Sequence, residues 1–126
     1  MNTSGKTILI IDDDETIREY LHCILENEGF TVLEAENGTS GIEMITKNIV
    51  DIIISDLIMP EKEGIETIRE IKNFRPECRI IAMSGAANRD NYLLITKALG
   101  ADAIIKKPFS REVVLEAIST ISTASG

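Results

Sequence analysis

Apolar residues in this chain fall into two alternating patterns. Thr7–Ile11, Asp51–Ser55 and Arg79–Met83 are near-continuous runs rich in Ile and other strand-favouring residues, and Thr31–Ala35 and Ala103–Lys106 are shorter runs of the same kind. Between them, apolar positions recur at three- and four-residue spacing. Ile17, Tyr20, Leu21, Ile24 and Leu25 form one such stripe within 14–28, and Ile42, Ile45 and Ile49 a second. Ile65, Ile68 and Ile71 form a third, opened by Gly64 and stopped before Pro76. Leu94, Ile95 and Ala98, with Asn91, form a fourth within 88–99. Val114, Ala117, Ile118 and Ile121 form the last within 111–121. The first pattern predicts strands and the second amphipathic helices. Asp14 is placed to cap the first helix, Gly29 to end it, and Asn37-Gly38 to turn the chain into the second.

Five strand–helix pairs in succession, with central strands apolar throughout, imply a sheet covered on both faces. Right-handed crossovers then give an α/β fold, a doubly wound, five-stranded parallel sheet with five helices. Residues 1–126 are read as one domain with its core at about 6–121, and Ser122–Gly126 as a frayed tail.

The formal charge of −8 and pI near 4.6 argue against a nucleic-acid surface, which needs clustered Lys and Arg. No apolar stretch reaches the roughly 18 residues that a membrane span requires. With no signal peptide visible, a cytoplasmic location is expected. Cys23 and Cys78 lack metal-ligand spacing and are read as small, partly buried apolar residues. His22, the one histidine, is read as a solvated surface residue, which excludes a His-based triad or a His-rich metal site.

In a parallel sheet all strand C-termini share one edge, where α/β folds place their chemistry. Asp12 and Asp13, Asp56, Ser84 and Lys107 each stand at such an end or just beyond it. Crowded carboxylates repel one another, and a hard divalent cation relieves the repulsion. Mg²⁺ is the natural choice, with Mn²⁺ the alternative. Asp56 then suits a nucleophile that forms an acyl phosphate, Lys107 a counter-charge to phosphoryl oxygens, and Ser84 a hydrogen-bond donor to one of them. Singly, each feature has an ordinary structural explanation, such as a helix cap or a strand end. Their joint occurrence at four strand ends does not.

Ile8-Leu9-Ile10-Ile11-Asp12-Asp13-Asp14, Ser55-Asp56-Leu57-Ile58-Met59-Pro60 with Gly64, Ala82-Met83-Ser84-Gly85 and Lys106-Lys107-Pro108-Phe109 resemble the four signatures of the receiver domain of two-component response regulators. The similarity runs from about Lys6 to about Ile121. It implies a strand order of 2-1-3-4-5. It implies that Asp56 is the phosphoacceptor and that Asp13, Asp56 and the backbone carbonyl of Ile58 bind Mg²⁺, with Asp12 acting through water. It also implies that Ser84 and Lys107 engage the phosphoryl group, and that the Lys107–Pro108 bond is cis. The resemblance further implies a donor, either a sensor histidine kinase or a histidine phosphotransfer protein. It implies a downstream protein and a phosphorylation-dependent dimer as users of the switched surface. Neither nucleic acid nor membrane is expected as a partner, and a turnover enzyme is not expected. One position departs from the pattern: three residues before Lys107, where an aromatic residue or His is usual, stands Ile104.

Two other readings compete. Asp12-Asp13-Asp14-Glu15-Thr16 fits the opening motif of haloacid dehalogenase-type phosphohydrolases, but no Asp follows Asp102 to supply their later acidic pair, and Asp56 is left unexplained. A flavodoxin-like electron carrier needs a Gly/Ser/Thr-rich phosphate cradle where this chain is acidic.

Overall fold

The computed structural model describes residues 5–56, 63–85 and 100–124. Five strands run parallel: β1 (Thr7–Ile11), β2 (Thr31–Ala35), β3 (Ile52–Asp56), β4 (Arg79–Ser84) and β5 (Ala103–Lys106). Their order across the sheet is β2-β1-β3-β4-β5. Register aligns Leu9 with Leu33 and Ile53, and Ile53 with Ile80, so the middle of the sheet is a row of branched side chains. Four helices lie among the described residues: α1 (Glu15–Asn27), α2 (Gly38–Lys47), α3 (Glu63–Phe74) and α4 (Arg111–Ala124). The helix expected at 88–99 lies outside the described residues.

Alternation along each strand divides the core into two layers. Leu9, Ile11, Ile53, Ile80 and Ala82 face one side, where Ile45 of α2 and Ile68 and Ile71 of α3 cover them. Ile8, Ile10, Ile54, Ile81, Met83 and Ile105 face the other, under Leu21 and Leu25 of α1 and Val114, Ile118 and Ile121 of α4. Each fully buried aliphatic side chain contributes roughly 1.5–3 kcal/mol.

Local chemistry sets the helix ends. The Asp14 carboxylate caps α1 by accepting from the N–H groups of Thr16 and Ile17, as expected. At its other end the Gly29 N–H donates to Glu26 O and the Phe30 N–H to Leu25 O, with Gly29 at φ 94°, a conformation glycine adopts without cost. Asn37 caps α2 through Ser40 N–H. At the opposite edge of the sheet, side-chain carboxylates close strand starts: Asp51 accepts from Thr7 N–H at 2.8 Å and Asp102 from Ile80 N–H at 2.9 Å.

Gly41 is the close-approach point of α2 on β1. A Cβ there would lie 2.6 Å from Ile11 Cδ1 and 3.1 Å from its Cγ1. Alanine gains about 1 kcal/mol of helix propensity over glycine, but overpacking costs about 1–3 kcal/mol. Ile11 is fully buried and has no room to swing away. Gly41→Ala is therefore expected to lower stability by about 1 kcal/mol in urea denaturation; a stabilised variant contradicts this packing argument.

Several expectations need correction. Tyr20 does not face the core but is half exposed, with its ring 6.1 Å from that of Phe109. Ile49 is not on α2; the helix ends at Lys47, and Ile49 is 85 % exposed. Cys23 is exposed rather than partly buried, whereas Cys78 is buried and its thiol donates to Val50 O at 3.0 Å. Burial pushes the Cys78 thiol above its ordinary pKa. His22 is not simply solvated: its Nδ1 lies 2.6 Å from a Glu34 oxygen. Residues 122–124 of the expected tail are helical, since α4 continues to Ala124.

Candidate functional site

The C-terminal ends of β1, β3, β4 and β5 bring the expected residues together. Asp12 and Asp13 directly follow β1, Asp56 closes β3, Ser84 closes β4, and Lys107 follows β5. Asp12, Asp56 and Ser84 are buried, Lys107 is partly buried and Asp13 is exposed. A rim of this kind has an inner wall out of water and one carboxylate open to it. Ile58 lies outside the described residues.

Lys107 is the hub. Its Nζ donates to Asp56 Oδ2 at 3.0 Å and to Asp12 Oδ2 at 3.1 Å. Its neighbour Lys106 is exposed at the end of β5, so the lysine followed by proline is the one that enters the site. The Lys107–Pro108 bond is cis, as the resemblance implied. The backbone N–H of Lys107 also donates to Ser84 O at 2.7 Å, tying the ends of β4 and β5 together.

Asp12 has every polar atom engaged. Its N–H donates to Ala35 O at 3.1 Å, and its carbonyl accepts from Arg18 Nη1 at 2.6 Å. Its Oδ1 accepts from Asp14 N–H at 2.8 Å, and its Oδ2 from Lys107. Burial nevertheless pushes the Asp12 carboxyl above its ordinary pKa. The Asp14 N–H and Lys107 oppose that rise, and the charge of Asp56 adds to it. Burial pulls the Lys107 ammonium down, but its bonds and attraction to Asp56 and Asp12 outweigh burial and leave its pKa raised.

Carboxylate oxygens of Asp12, Asp13 and Asp56 lie within 4.8 Å of one another. Among the described residues, three carboxylates against one ammonium leave a surplus of two negative charges. An all-oxygen donor set with that surplus, partly open to water, fits a hard divalent cation that keeps some of its waters. The described residues bring no thiolate or imidazole to it for a softer metal. Mg²⁺ is therefore compatible with the residues present.

Two residues at the edge of this site were not singled out in the sequence: Arg18 and Glu34. Arg18 Nε donates to Glu34 Oε1 at 3.1 Å, while its Nη1 holds the Asp12 carbonyl. The available signal was Glu34 itself, a charged residue within the short apolar strand β2, but its partner depends on how α1 lies over that strand. Ile104 is half buried and packs with the layer under α2 and α3.

A family model described as the response regulator receiver domain matches residues 8–119. The chemotaxis protein CheY of Halobacterium salinarum is 39% identical over 120 residues, covering 95% of this chain and 99% of that protein. The chemotaxis protein CheY of Bacillus subtilis is 38% identical over 113 residues, covering 89% and 93%. Among solved structures, a CheY-like response regulator receiver domain protein from Methanospirillum hungatei superposes with a TM-score of 0.85 at 33% identity, covering 93% of each chain.

Proposed function

This chain belongs to the response regulator receiver domain family, and from that premise we propose that it takes a phosphoryl group onto Asp56 and thereby switches a protein-interaction surface. Receiver domains are signalling proteins rather than turnover enzymes; they bind Mg²⁺ at an acidic pocket and work between sensor kinases and downstream targets. The observation that carries the reading here is Lys107 Nζ set between two inner carboxylates, 3.0 Å from Asp56 and 3.1 Å from Asp12, with Asp13 beside them.

The donor is a phosphohistidine of a sensor histidine kinase or a histidine phosphotransfer protein. An Asp56 oxygen forms the new P–O bond as the P–N bond breaks, and the imidazole nitrogen leaves with the electron pair. Asp56 is fixed for that approach by its strand and by Lys107. The Lys107 ammonium then faces the charge gathered on the phosphoryl oxygens, and the Ser84 hydroxyl donates to one of them. Asp13, Asp56 and the Ile58 carbonyl, with Asp12 through water, are the groups that would hold Mg²⁺ or Mn²⁺, which supplies positive charge to the same oxygens. Burial of the inner wall keeps these electrostatic interactions strong.

An acyl phosphate at Asp56 adds negative charge where Lys107 already divides itself between two carboxylates. Recruiting Lys107 and Ser84 to the new group shifts the domain between two populated states. A coupling of about 1–3 kcal/mol is enough for a useful switch. β5 and α4, which continue from Lys107 on either side, are the elements best placed to carry that shift to a downstream protein or a second copy. Ile104, being aliphatic, transmits it by packing rather than by an aromatic ring changing sides. A phosphohydrolase of the haloacid dehalogenase type has no support in the family match.

The test is intact mass after incubation with Mg²⁺ and acetyl phosphate. The wild type is expected to gain one phosphoryl group, while EDTA or Asp56→Asn abolishes the gain. No gain from acetyl phosphate or from a phosphorylated histidine kinase overturns the proposal.

A further inference from the structure

Asp13 is the exposed member of the acidic cluster, and no hydrogen bond or ion pair to another described residue fixes its side chain. Its direction is therefore set by the backbone that leads into it. The peptide between Asp12 and Asp13 is planar, so fixing its carbonyl oxygen fixes the plane and the bearing of the Asp13 Cα. One side chain holds that oxygen. Arg18, which closes the first turn of α1, donates to Asp12 O from Nη1 at 2.6 Å.

Arg18 is itself braced. Its Nε donates to Glu34 Oε1 at 3.1 Å, and the second oxygen of Glu34 lies 2.6 Å from His22 Nδ1. Arg18 is 14 % exposed and Glu34 31 % exposed, so the pair is largely shielded from water. Glu34 stands beside Ile10 in the β1–β2 register, one strand away from the site. A guanidinium suits this task because its planar fork serves two acceptors at fixed angles, where an ammonium offers a single point. Glu34 also neutralises Arg18, which prevents a loose cation from turning toward the nearby carboxylates and competing with a metal ion.

We infer that Arg18, braced by Glu34, is a positioning residue for the acidic cluster: it sets the Asp12–Asp13 peptide plane and with it the divalent-cation affinity of the site. Arg18 spends its donors on Glu34 and the Asp12 carbonyl and acts through Asp12 and Asp13. The inference rests on the proposed metal site. Outer contacts that orient metal ligands change affinity by roughly 10–100-fold when removed.

The experiment is calorimetric Mg²⁺ titration of the wild type, Arg18→Ala, Arg18→Lys and Glu34→Gln, with thermal unfolding of each in EDTA. Arg18→Ala is expected to weaken Mg²⁺ binding about tenfold or more. Arg18→Lys is expected to recover part of the loss, since it can hold the carbonyl but not Glu34 as well. Glu34→Gln is expected to fall between the wild type and Arg18→Ala. A purely structural role would lower the melting temperature in EDTA while leaving the Mg²⁺ dissociation constant within twofold of the wild type, and that result overturns the inference. Should Arg18→Ala not fold, Arg18→Lys and Glu34→Gln decide it by the same criterion. A wild type that binds no Mg²⁺ refutes the metal site and the inference together, whereas normal wild-type binding with unaltered variants refutes the inference alone.

Discussion

Lys107→Met is expected to destabilise the cation-free protein by about 2–4 kcal/mol at pH 7, below the figure for breaking a fully buried pair because Lys107 is partly exposed. The substitution keeps most of the side chain's length and removes its charge. Asp12, fully buried, and Asp56, nearly so, then both lose the ammonium that each holds. The pH dependence has a definite sign. Burial already raises the Asp12 carboxyl, and Lys107 supplies two of the influences that hold the rise in check. In the variant the carboxyl rises further. A carboxyl with a raised folded-state pKa contributes stability that is fully present below its ordinary value near 3.8 and is lost as pH climbs through the folded value. The gap between variant and wild type should therefore be widest near neutrality and should narrow as the pH falls. Lys107 has its own raised pKa, so its contribution in the wild type persists through neutrality and fades only above its ordinary 10.5. Saturating Mg²⁺ should narrow the gap at pH 7 as well, by replacing one cation with another. Urea midpoints with EDTA and with Mg²⁺, from pH 4 to 8, measure all of this; a variant as stable as the wild type in EDTA at pH 7 contradicts it.

The core supplies the second large effect. Ile53→Ala is expected to cost about 3–4 kcal/mol, out of the roughly 5–15 kcal/mol typical of a domain. Ile53 is fully buried at the centre of β3, level with Leu9 on one side and Ile80 on the other. Ile45, Ile68 and Ile71 belong to the same layer above it. The sheet is hydrogen-bonded on both sides of β3, so its backbone cannot collapse into the void, and the cavity term is felt nearly in full. Val113→Ala, at a position 45 % exposed on α4, serves as the comparison and should shift stability by no more than about 0.5 kcal/mol. Equal effects at the two positions, read from urea midpoints at fixed pH, would show that the central layer is not close-packed.

The strands were legible in the sequence because burial on both faces leaves an unmistakable mark: Thr7–Ile11, Thr31–Ala35 and Ala103–Lys106 have the same limits in the structure. The inner site was legible for a related reason. Parallel strands carry their C-termini to one edge, so strand ends alone gather Asp12, Asp56, Ser84 and Lys107 there. What escaped depends on how helices rotate and how far they run. The stripe containing Tyr20 is slightly wider than the face α1 buries, and Tyr20 falls on its margin beside Phe109. Ile49 continues the spacing of α2, but the helix stops where Asn48 turns extended and its N–H bonds back to Met44 O. The Arg18–Glu34–His22 chain depends on α1 crossing β2 at one particular height, which local pattern does not encode. His22 and Cys23 follow from the same helix rotation, one turned toward Glu34 and the other toward water.

The fully engaged state of Asp12 also limits how this sequence can drift. Asparagine keeps the acceptor for Asp14 N–H, but then either a second donor faces the Lys107 ammonium or the amide flips and faces Asp14 with a donor. Glutamate retains the charge and carries it one methylene too far for both bonds at once. Serine has one oxygen where two are required. The backbone bonds to Ala35 and Arg18 leave the main chain no freedom to compensate. Each of these replacements gives up at least one of the two side-chain bonds through which position 12 joins Asp14 to Lys107, so the rim at the end of β1 hangs on one short two-oxygen side chain.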